Sequence, residues 1–502
     1  MNKNKRKYNI KVPNTALSLL LIPYYLFLFT SATAQTATSS PYSRYGIGDV
    51  NNKGFAQPFA MGGTSIALQN DTIPMFFINN ANPASYSNVR LTTADLGINY
   101  TRMQLESSTT KQTINSASLG YLTLAVPLKK WWGASIGLIP YSSVGYKVTN
   151  HEENVANIGT IDYLYEGSGG INQLYLGNGI KPLYGLPRMF LKSEKYKWLK
   201  SKTKKDNTAK TEEEYRADQN KIYTTLKRRK AMQPLSLGFN ASYLFGNIDH
   251  TKRTIFPANN GAYNTRTGTT IRISDVYLDY GVQYAYTFDS LKGRDLKENT
   301  KLLLGATFAA QSNVSAKIDS LSYNYYTIQG YEQVRDTVVN SKNFKGNVTF
   351  PLSFGIGVGF KKGERWLVAA DFAMQNWSSY SAFNQTGGLK NSMRVSVGAQ
   401  WVPNPKASSK KYLSRVHYRF GGRYAQTALE LKSTQLSETA VSIGLGFPVG
   451  RNYLLWNFSM INIGFELGQR GTATNGLIKE NFMRATIGFT INDKWFVKPK
   501  FD

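Results

Sequence analysis

The sequence predicts an all-β protein, a 14-stranded antiparallel β-barrel that crosses a membrane. Hydrophobic and small or polar residues alternate along most of the chain after residue 90, as from Met483 to Ile491, which is typical of strands with one apolar face. The alternating runs cover ~9–15 residues, whereas a tilted transmembrane strand needs ~9–11 and strands in soluble proteins average ~5–6. No run after residue 34 approaches the ~18–20 continuous apolar residues of a membrane helix.

Fourteen segments are predicted as strands: 91–105, 114–128, 133–148, 168–182, 234–248, 275–289, 300–315, 346–361, 365–378, 390–402, 412–427, 436–449, 456–470 and 480–492. An even number allows the last strand to pair with the first. The barrel domain is thus 91–492, followed by a tail at 493–502. If the first strand starts at the periplasm, 129–132 and 362–364 are short periplasmic turns. Segments 149–167, 249–274 and 316–345 are then expected to be long extracellular loops.

Residues 1–34 have the pattern of a cleaved secretory signal peptide. Basic residues such as Lys5 and Arg6 precede an apolar run, and Ala32-Thr33-Ala34 is a typical cleavage site. An N-terminal membrane anchor is the alternative. Together with the barrel, a signal peptide predicts the outer membrane of a Gram-negative-type envelope as the location, with outer-membrane lipid around the barrel.

The composition excludes several kinds of chemistry. The chain has no cysteine and three histidines that lie far apart, so we expect no disulfide, metal site or cofactor. No phosphate-binding loop or defensible catalytic triad is present, so an enzyme is disfavoured. The net charge of +29 would suggest nucleic acid in another compartment. Export argues against nucleic acid as a partner, and anionic headgroups or acidic proteins fit better.

One connection differs from the short periplasmic turns. Residues 188–230 lie between the fourth and fifth predicted strands and hold fifteen Lys or Arg against six Asp or Glu, a local charge of +9. Thr211 with Glu214 fits a helix capping box, so we predict a basic periplasmic helical hairpin. The alternative is a solvated, partly disordered insertion. As a docking arm it would use Trp198, Tyr215, Lys227, Arg228, Arg229 and Lys230.

Several polar residues fall on the small or polar face of their predicted strands and should point into the lumen. Salt bridges to a segment that plugs the lumen are the expected role of these side chains, with ligand contact and then a catalytic pair as the alternatives: Asp371, Glu466, Arg394, Arg419 and Arg423. Gly355, Gly357 and Gly359 form a glycine row on one face, where another backbone could approach the wall closely.

A motif of small residues precedes the first strand. It comprises Gly62-Gly63, Asp71 and Asn82-Pro83-Ala84. Order and spacing resemble the N-terminal segment of the FadL/OmpP1/TodX-type outer-membrane family. The resemblance implies that residues 35–90 form a plug, or hatch, inside a fourteen-stranded barrel. Independently, such a barrel encloses a wide lumen that something should fill. A periplasmic tail is the alternative.

Two further features extend this resemblance. Ser40–Asp49 and Trp495-Phe496 resemble the PorV-type branch, which is found with type IX secretion systems. Pro140 lies inside the third predicted strand, where proline removes a ladder hydrogen bond. In fatty-acid-transporting relatives a kink of the third strand opens the wall, so the resemblance implies a lateral opening at Pro140. A simple bulge is the alternative.

These features support two functions. The first is a partner subunit of an outer-membrane secretion or protein-assembly complex, which docks through the basic insertion to a periplasmic or outer-membrane protein. The alternative is a FadL-like channel that takes up a hydrophobic small molecule through a plug and a lateral opening.

Overall fold

The wall of the molecule is a single antiparallel sheet that closes on itself. The computed structural model describes residues 38, 40–51, 55–69, 77–155, 158–184, 235–257, 261–288, 300–449 and 458–493. The predicted signal peptide, the 188–230 insertion and the tail after Asp493 lie outside these residues. The described residues contain no helix that is both long and apolar enough to cross a membrane.

Nineteen strands are described, in this order: β1 (Asp49–Val50), β2 (Thr92–Glu106), β3 (Lys111–Lys129), β4 (Trp132–Val155), β5 (Gly159–Ile180), β6 (Ser236–Ile255), β7 (Asn264–Thr287), β8 (Thr300–Ala309), β9 (Ser312–Ile328), β10 (Tyr331–Phe350), β11 (Ser353–Lys362), β12 (Trp366–Gln375), β13 (Ser381–Ala382), β14 (Gln385–Thr386), β15 (Ser392–Trp401), β16 (His417–Leu431), β17 (Thr434–Val449), β18 (Phe458–Arg470) and β19 (Lys479–Asp493). The helices are short: α1 (Ala56–Phe59) and 3₁₀ helices at Pro41–Arg44, Pro83–Asn88, Trp377–Ser379 and Ser409–Arg415.

These strands form fourteen wall strands, as the sequence predicts, because some of them are parts of one interrupted strand. β8 and β9 both pair with β7, so they are two parts of one wall strand that is interrupted at residues 310–311. β10 and β11 form another, interrupted at Pro351-Leu352, because they pair with β9 and β8 respectively. The barrel closes where β19 pairs with β2, from Asp493 beside Thr92 to Lys479 beside Glu106.

The alternation of residues sets which face meets lipid. In β17, Val441 and Ile443 are 62% and 56% exposed, whereas Ser442 between them is 4% exposed. Successive side chains of a strand point to opposite faces, so the apolar set lies outside and the small or polar set inside. This arrangement suits a barrel embedded in a bilayer.

The expectation of three long loops was wrong. Segments 149–167, 249–274 and 316–345 are mostly strand, and they extend the hairpins β4–β5, β6–β7 and β9–β10 at one end of the barrel. These extensions lack a continuous apolar face because they continue past the ~9–11 residues that cross the bilayer. The alternating pattern used to find strands is therefore absent, although main-chain pairing continues.

Candidate functional site

The N-terminal segment, defined as the described residues from 40 to 91, packs against the inward face of the wall. The Asn82-Pro83-Ala84 motif begins the 3₁₀ helix Pro83–Asn88, with Asn82 as its N-cap accepting from the amide of Ala84. Asn82 Nδ2 lies 2.8 Å from the carbonyl oxygen of Ile66, 3.1 Å from that of Val282 and 3.3 Å from that of Ala306. One side chain therefore links two parts of the segment to β7 and β8.

The Gly62-Gly63 pair lies against another part of the wall, at β16 and β17. The Gly62 amide donates to Ser442 Oγ at 2.8 Å, and a Cβ on Gly62 would lie 2.7 Å from backbone atoms of Gly422. Its φ of +70° also favours glycine. Gly63 has φ +86°, but open space surrounds the position of its Cβ. Only glycine allows the backbone at residue 62 to come this close to β16.

Asp371 binds the N-terminal segment through backbone amides. Its Oδ2 accepts from the amide nitrogens of Ser65 at 2.6 Å and Ile66 at 2.9 Å. The glycine row provides the space, because a Cβ on Gly357 would lie 2.4 Å from Asp371 Oδ1 and 2.9 Å from the amide nitrogen of Ala67. The expected inward orientation of Asp371 is correct: its hydrogen-bond partners are two amides, and Arg394 of β15 also interacts electrostatically with its carboxylate.

An ion-paired cluster joins the start of the segment to the end of the barrel. Arg470 Nη1 lies 2.9 Å from Asp49 Oδ1, and Arg470 Nε lies 2.6 Å from Glu480 Oε2. Ser40 Oγ accepts from Arg470 Nη2 at 2.6 Å and donates to Glu480 Oε1 at 2.5 Å. Sequence reasoning missed this cluster. Its signal was available, since Arg470 continues the inward face of β18 that includes Glu466 and Gly468.

Tyr42 adds a contact beside this cluster. Its hydroxyl donates to the carbonyl oxygen of Ile478 at 2.5 Å and accepts from the Ile478 amide at 3.0 Å. Burial raises the pKa of the Tyr42 hydroxyl, which keeps it a neutral hydrogen-bond donor.

A second charged cluster belongs to the wall alone. Arg423 pairs with Glu466 and also with Glu438, the latter at 2.7 Å, while Arg484 lies 3.2 Å from Glu466. Arg419 is 1% exposed and donates to wall side chains, Gln400 and Asn462, at 2.8 Å each. Among the described residues, the partners of Arg419, Arg423 and Glu466 are therefore wall side chains, whereas salt bridges to the N-terminal segment were expected.

Pro140 marks the point where β4 leaves β3. The pairing of β3 with β4 runs from Lys129 beside Trp132 to Leu122 beside Leu138. In the described residues, β4 has no pair with β3 beyond Leu138. The register with β5 shifts between Pro140 and Ser142, which leaves Tyr141 as a bulge. Tyr141 turns inward and stacks on Phe350, with the ring centroids 5.5 Å apart.

The separated strands define the β3–β4 gap, bounded by residues 111–121 of β3 and 139–155 of β4. The short strand β1 covers part of the β4 edge, with Asp49 beside Ser143 and Val50 beside Ser142. Asn51 continues this contact through its amide, which donates to the Tyr141 carbonyl oxygen at 3.0 Å.

A cavity of about 440 Å³ lies inside the barrel beside the N-terminal segment and extends to the gap. Its apolar lining includes Phe55, Leu119 and Ile139, and its charged lining includes Arg423 and Arg470. The cavity is therefore amphipathic and reaches both edges of the gap.

Asp71 and the docking candidates of the 188–230 insertion are predicted site residues that lie outside the described residues. The connection that contains the insertion leaves β5 at Ile180, which pairs with Trp132, and returns at β6. Among the residues that the structure describes, no group of three His, Asp or Glu side chains could hold a metal ion.

Fold and site together define an outer-membrane β-barrel whose N-terminal segment is bound to the inner face of its wall. The chain belongs to the BamG family, whose model matches residues 17–187 and 189–502. No curated protein sequence matches the chain.

Two solved structures are similar to this chain. A FadL homologue from Pseudomonas aeruginosa has 10% identity and a TM-score of 0.48, with 90% of this chain and 99% of that chain covered. The toluene transporter TodX from P. putida has 15% identity and a TM-score of 0.49, with 89% and 100% covered. Likeness at this level carries no information about ligand or partner.

Proposed function

We propose that this outer-membrane barrel is a subunit of a complex that assembles outer-membrane proteins. The observation that carries the proposal is the family match along nearly the whole chain, because the name BamG points to a role related to the β-barrel assembly machine. The bound N-terminal segment fits this role, since hydrogen bonds and ion pairs fix it to several parts of the wall.

Docking is proposed to occur through the basic insertion at 188–230. Its charge of +9 suits an acidic protein surface, and its candidate contacts are Trp198, Tyr215 and the run from Lys227 to Lys230. The PorV-type resemblance of Ser40–Asp49 stays a prediction, and it too favours a partner barrel.

Co-purification in mild detergent tests this proposal. We expect the wild-type protein to retain a barrel-assembly component that is lost when residues 188–230 are deleted or Lys227–Lys230 are changed to glutamate. Lys410 and Lys411 provide the matched control, because they are exposed in the connection between β15 and β16, at the same end of the barrel. Equal recovery of the component with the deletion would contradict the docking proposal.

A second candidate function is the passage of a hydrophobic molecule through the β3–β4 gap. The gap and its adjoining cavity favour it, and this geometric support is more direct than that for docking, whose segment lies outside the described residues. Apolar linings such as Leu119 and Ile139 suit a ligand arriving from lipid.

Uptake measurements test the passage candidate. Replacing Pro140 with alanine should restore a donor to β4, favour pairing with β3 and reduce uptake of a hydrophobic probe into cells. Pro448→Ala is the control, since Pro448 lies in β17 and is paired with Met460 of β18, away from the β3–β4 gap. Unchanged uptake with Pro140→Ala would count against the candidate.

A further inference from the structure

The edge of β3 that faces β4 lacks a strand partner over much of its length. On its other side, β3 pairs with β2 from Lys111 to Ala125. Towards β4, described pairs begin only at Leu122, so the edge from Lys111 to Tyr121 has none. Strand edges of this kind present rows of main-chain donors and acceptors that can template another strand.

The position of this edge makes its exposure unfavourable. Leu119 is 43% exposed on the outward face, and Leu122 is 52% exposed, so this part of β3 lies in the apolar band. Main-chain groups without partners are costly in hydrocarbon, where water cannot satisfy them. Farther along, Lys111 and Gln112 are polar and exposed, which indicates that the edge runs from the lipid band into solvent.

The facing edge shows how the chain satisfies such groups. There β1 adds to β4 at Ser142 and Ser143 as a short antiparallel strand. The cavity inside the barrel reaches both edges, since its lining includes Asp49 and Val50 of β1 and also Ile114, Ser116 and Ser118 of β3.

We propose that the free edge of β3, from Lys111 to Tyr121, binds an extended polypeptide segment by main-chain pairing. The occupant is a strand of another outer-membrane barrel during its assembly, with apolar residues at alternate positions. This source of the strand rests on the proposed assembly function.

A strand fits the edge better than a hydrophobic molecule does. An apolar ligand would cover Leu119 and Ile139 but leave the main-chain donors and acceptors of β3 unpaired. A strand would satisfy these groups and place alternate side chains towards lipid and cavity, as the neighbouring wall strands do.

Disulfide trapping with a peptide tests the proposal, because the chain has no native cysteine. The probes are a series of synthetic peptides with the sequence of β19, residues 479–493. Each peptide carries a single cysteine, and its position moves by one residue from one peptide to the next. The receptor is the full-length protein with Ser116→Cys, reconstituted in phospholipid vesicles. The control is Thr101→Cys: Thr101 is the cross-strand neighbour of Ser116 and lines the same cavity, but β2 is paired on both sides.

We expect trapping at Ser116→Cys to exceed trapping at Thr101→Cys by about tenfold or more, with a period of two along the peptide. Methylating peptide amide nitrogens on one edge should reduce trapping by about tenfold, and methylating those on the other edge should not. A scrambled peptide of the same composition should trap poorly.

Three results would overturn the proposal: no trapping, equal trapping at both cysteines, or trapping that is insensitive to scrambling and N-methylation. The last would indicate an apolar cavity without strand recognition. The assembly proposal fails separately, because co-purification reports on a protein partner and does not depend on the β3 edge.

Discussion

Arg470 and Asp49 form an ion pair between residues that are 421 positions apart in the chain, with Nη1 and Oδ1 2.9 Å from each other. The contact joins the inward face of β18 to the first strand of the N-terminal segment. Glu480, whose side chain is fully buried, shares the same guanidinium. Arg470 therefore neutralises two carboxylates and fixes the segment beside the β3–β4 gap.

Replacing Arg470 with methionine should destabilise the protein by about 3–5 kcal/mol, because it leaves the buried Glu480 without its cation. Asp49→Asn should cost less, since Asp49 is partly exposed and Glu480 keeps its pair. Urea unfolding in lipid vesicles, followed by tryptophan fluorescence, measures both free energies. Arg335→Met is the control, because its pair with Asp336 is exposed and should contribute less than ~1 kcal/mol. Equal effects of Arg470→Met and Arg335→Met would refute this role.

Removal of the Asp371 carboxylate should loosen the segment at Ser65 and Ile66. Asp371→Ala leaves two buried amides without an acceptor, which should cost about 2–4 kcal/mol. Asp371→Asn retains one acceptor oxygen and should cost about 1 kcal/mol. Unfolding free energies together with limited proteolysis between residues 55 and 69 distinguish the two variants. If alanine is tolerated as well as asparagine, the two amide contacts do not hold the segment.

Gly62 and Gly63 separate the effect of close approach from that of backbone conformation. Gly63→Ala introduces only the strain of a positive φ, about 1–2 kcal/mol. Gly62→Ala adds contact with the Gly422 backbone and should cost about 1–3 kcal/mol more. Thermal unfolding of both variants under identical lipid conditions checks the order. Equal stability of the two would show that the segment moves away from β16 without cost.

The wall of the barrel could be predicted from the sequence because lipid imposes a strict alternation on it. The segment 436–449 corresponds to β17 at Thr434–Val449, where Val441, Ile443 and Leu445 face outward. Beyond the bilayer this constraint ends, so the outer parts of β9 and β10 were expected to be loops. Their pairing depends on main-chain groups, which leave no periodic signal.

The site could be predicted only in part. Inward side chains such as Asp371 follow from strand parity, but their partners depend on the path of the N-terminal segment through the barrel. Asp49 and Arg470 are brought together by that path, which no local pattern specifies. Pro140 gave a local signal, and the end of pairing at Leu138 became visible only with the neighbouring strand in place.

The central claim is that β3 and β4 are paired up to Leu122 and Leu138 and separate beyond these residues, and disulfide formation in native membranes tests it most directly. Cysteine pairs at Leu122 with Leu138 and at Ile98 with Ile487 should crosslink, because these residues are paired neighbours. Cysteine at Leu119, combined in turn with cysteine at Ile139, Pro140 or Tyr141, should crosslink at least tenfold more slowly (about 1.4 kcal/mol). These three combinations cover the registers that a closed seam could adopt. Crosslinking of Leu119 with any of them as fast as Leu122 with Leu138 would contradict the account.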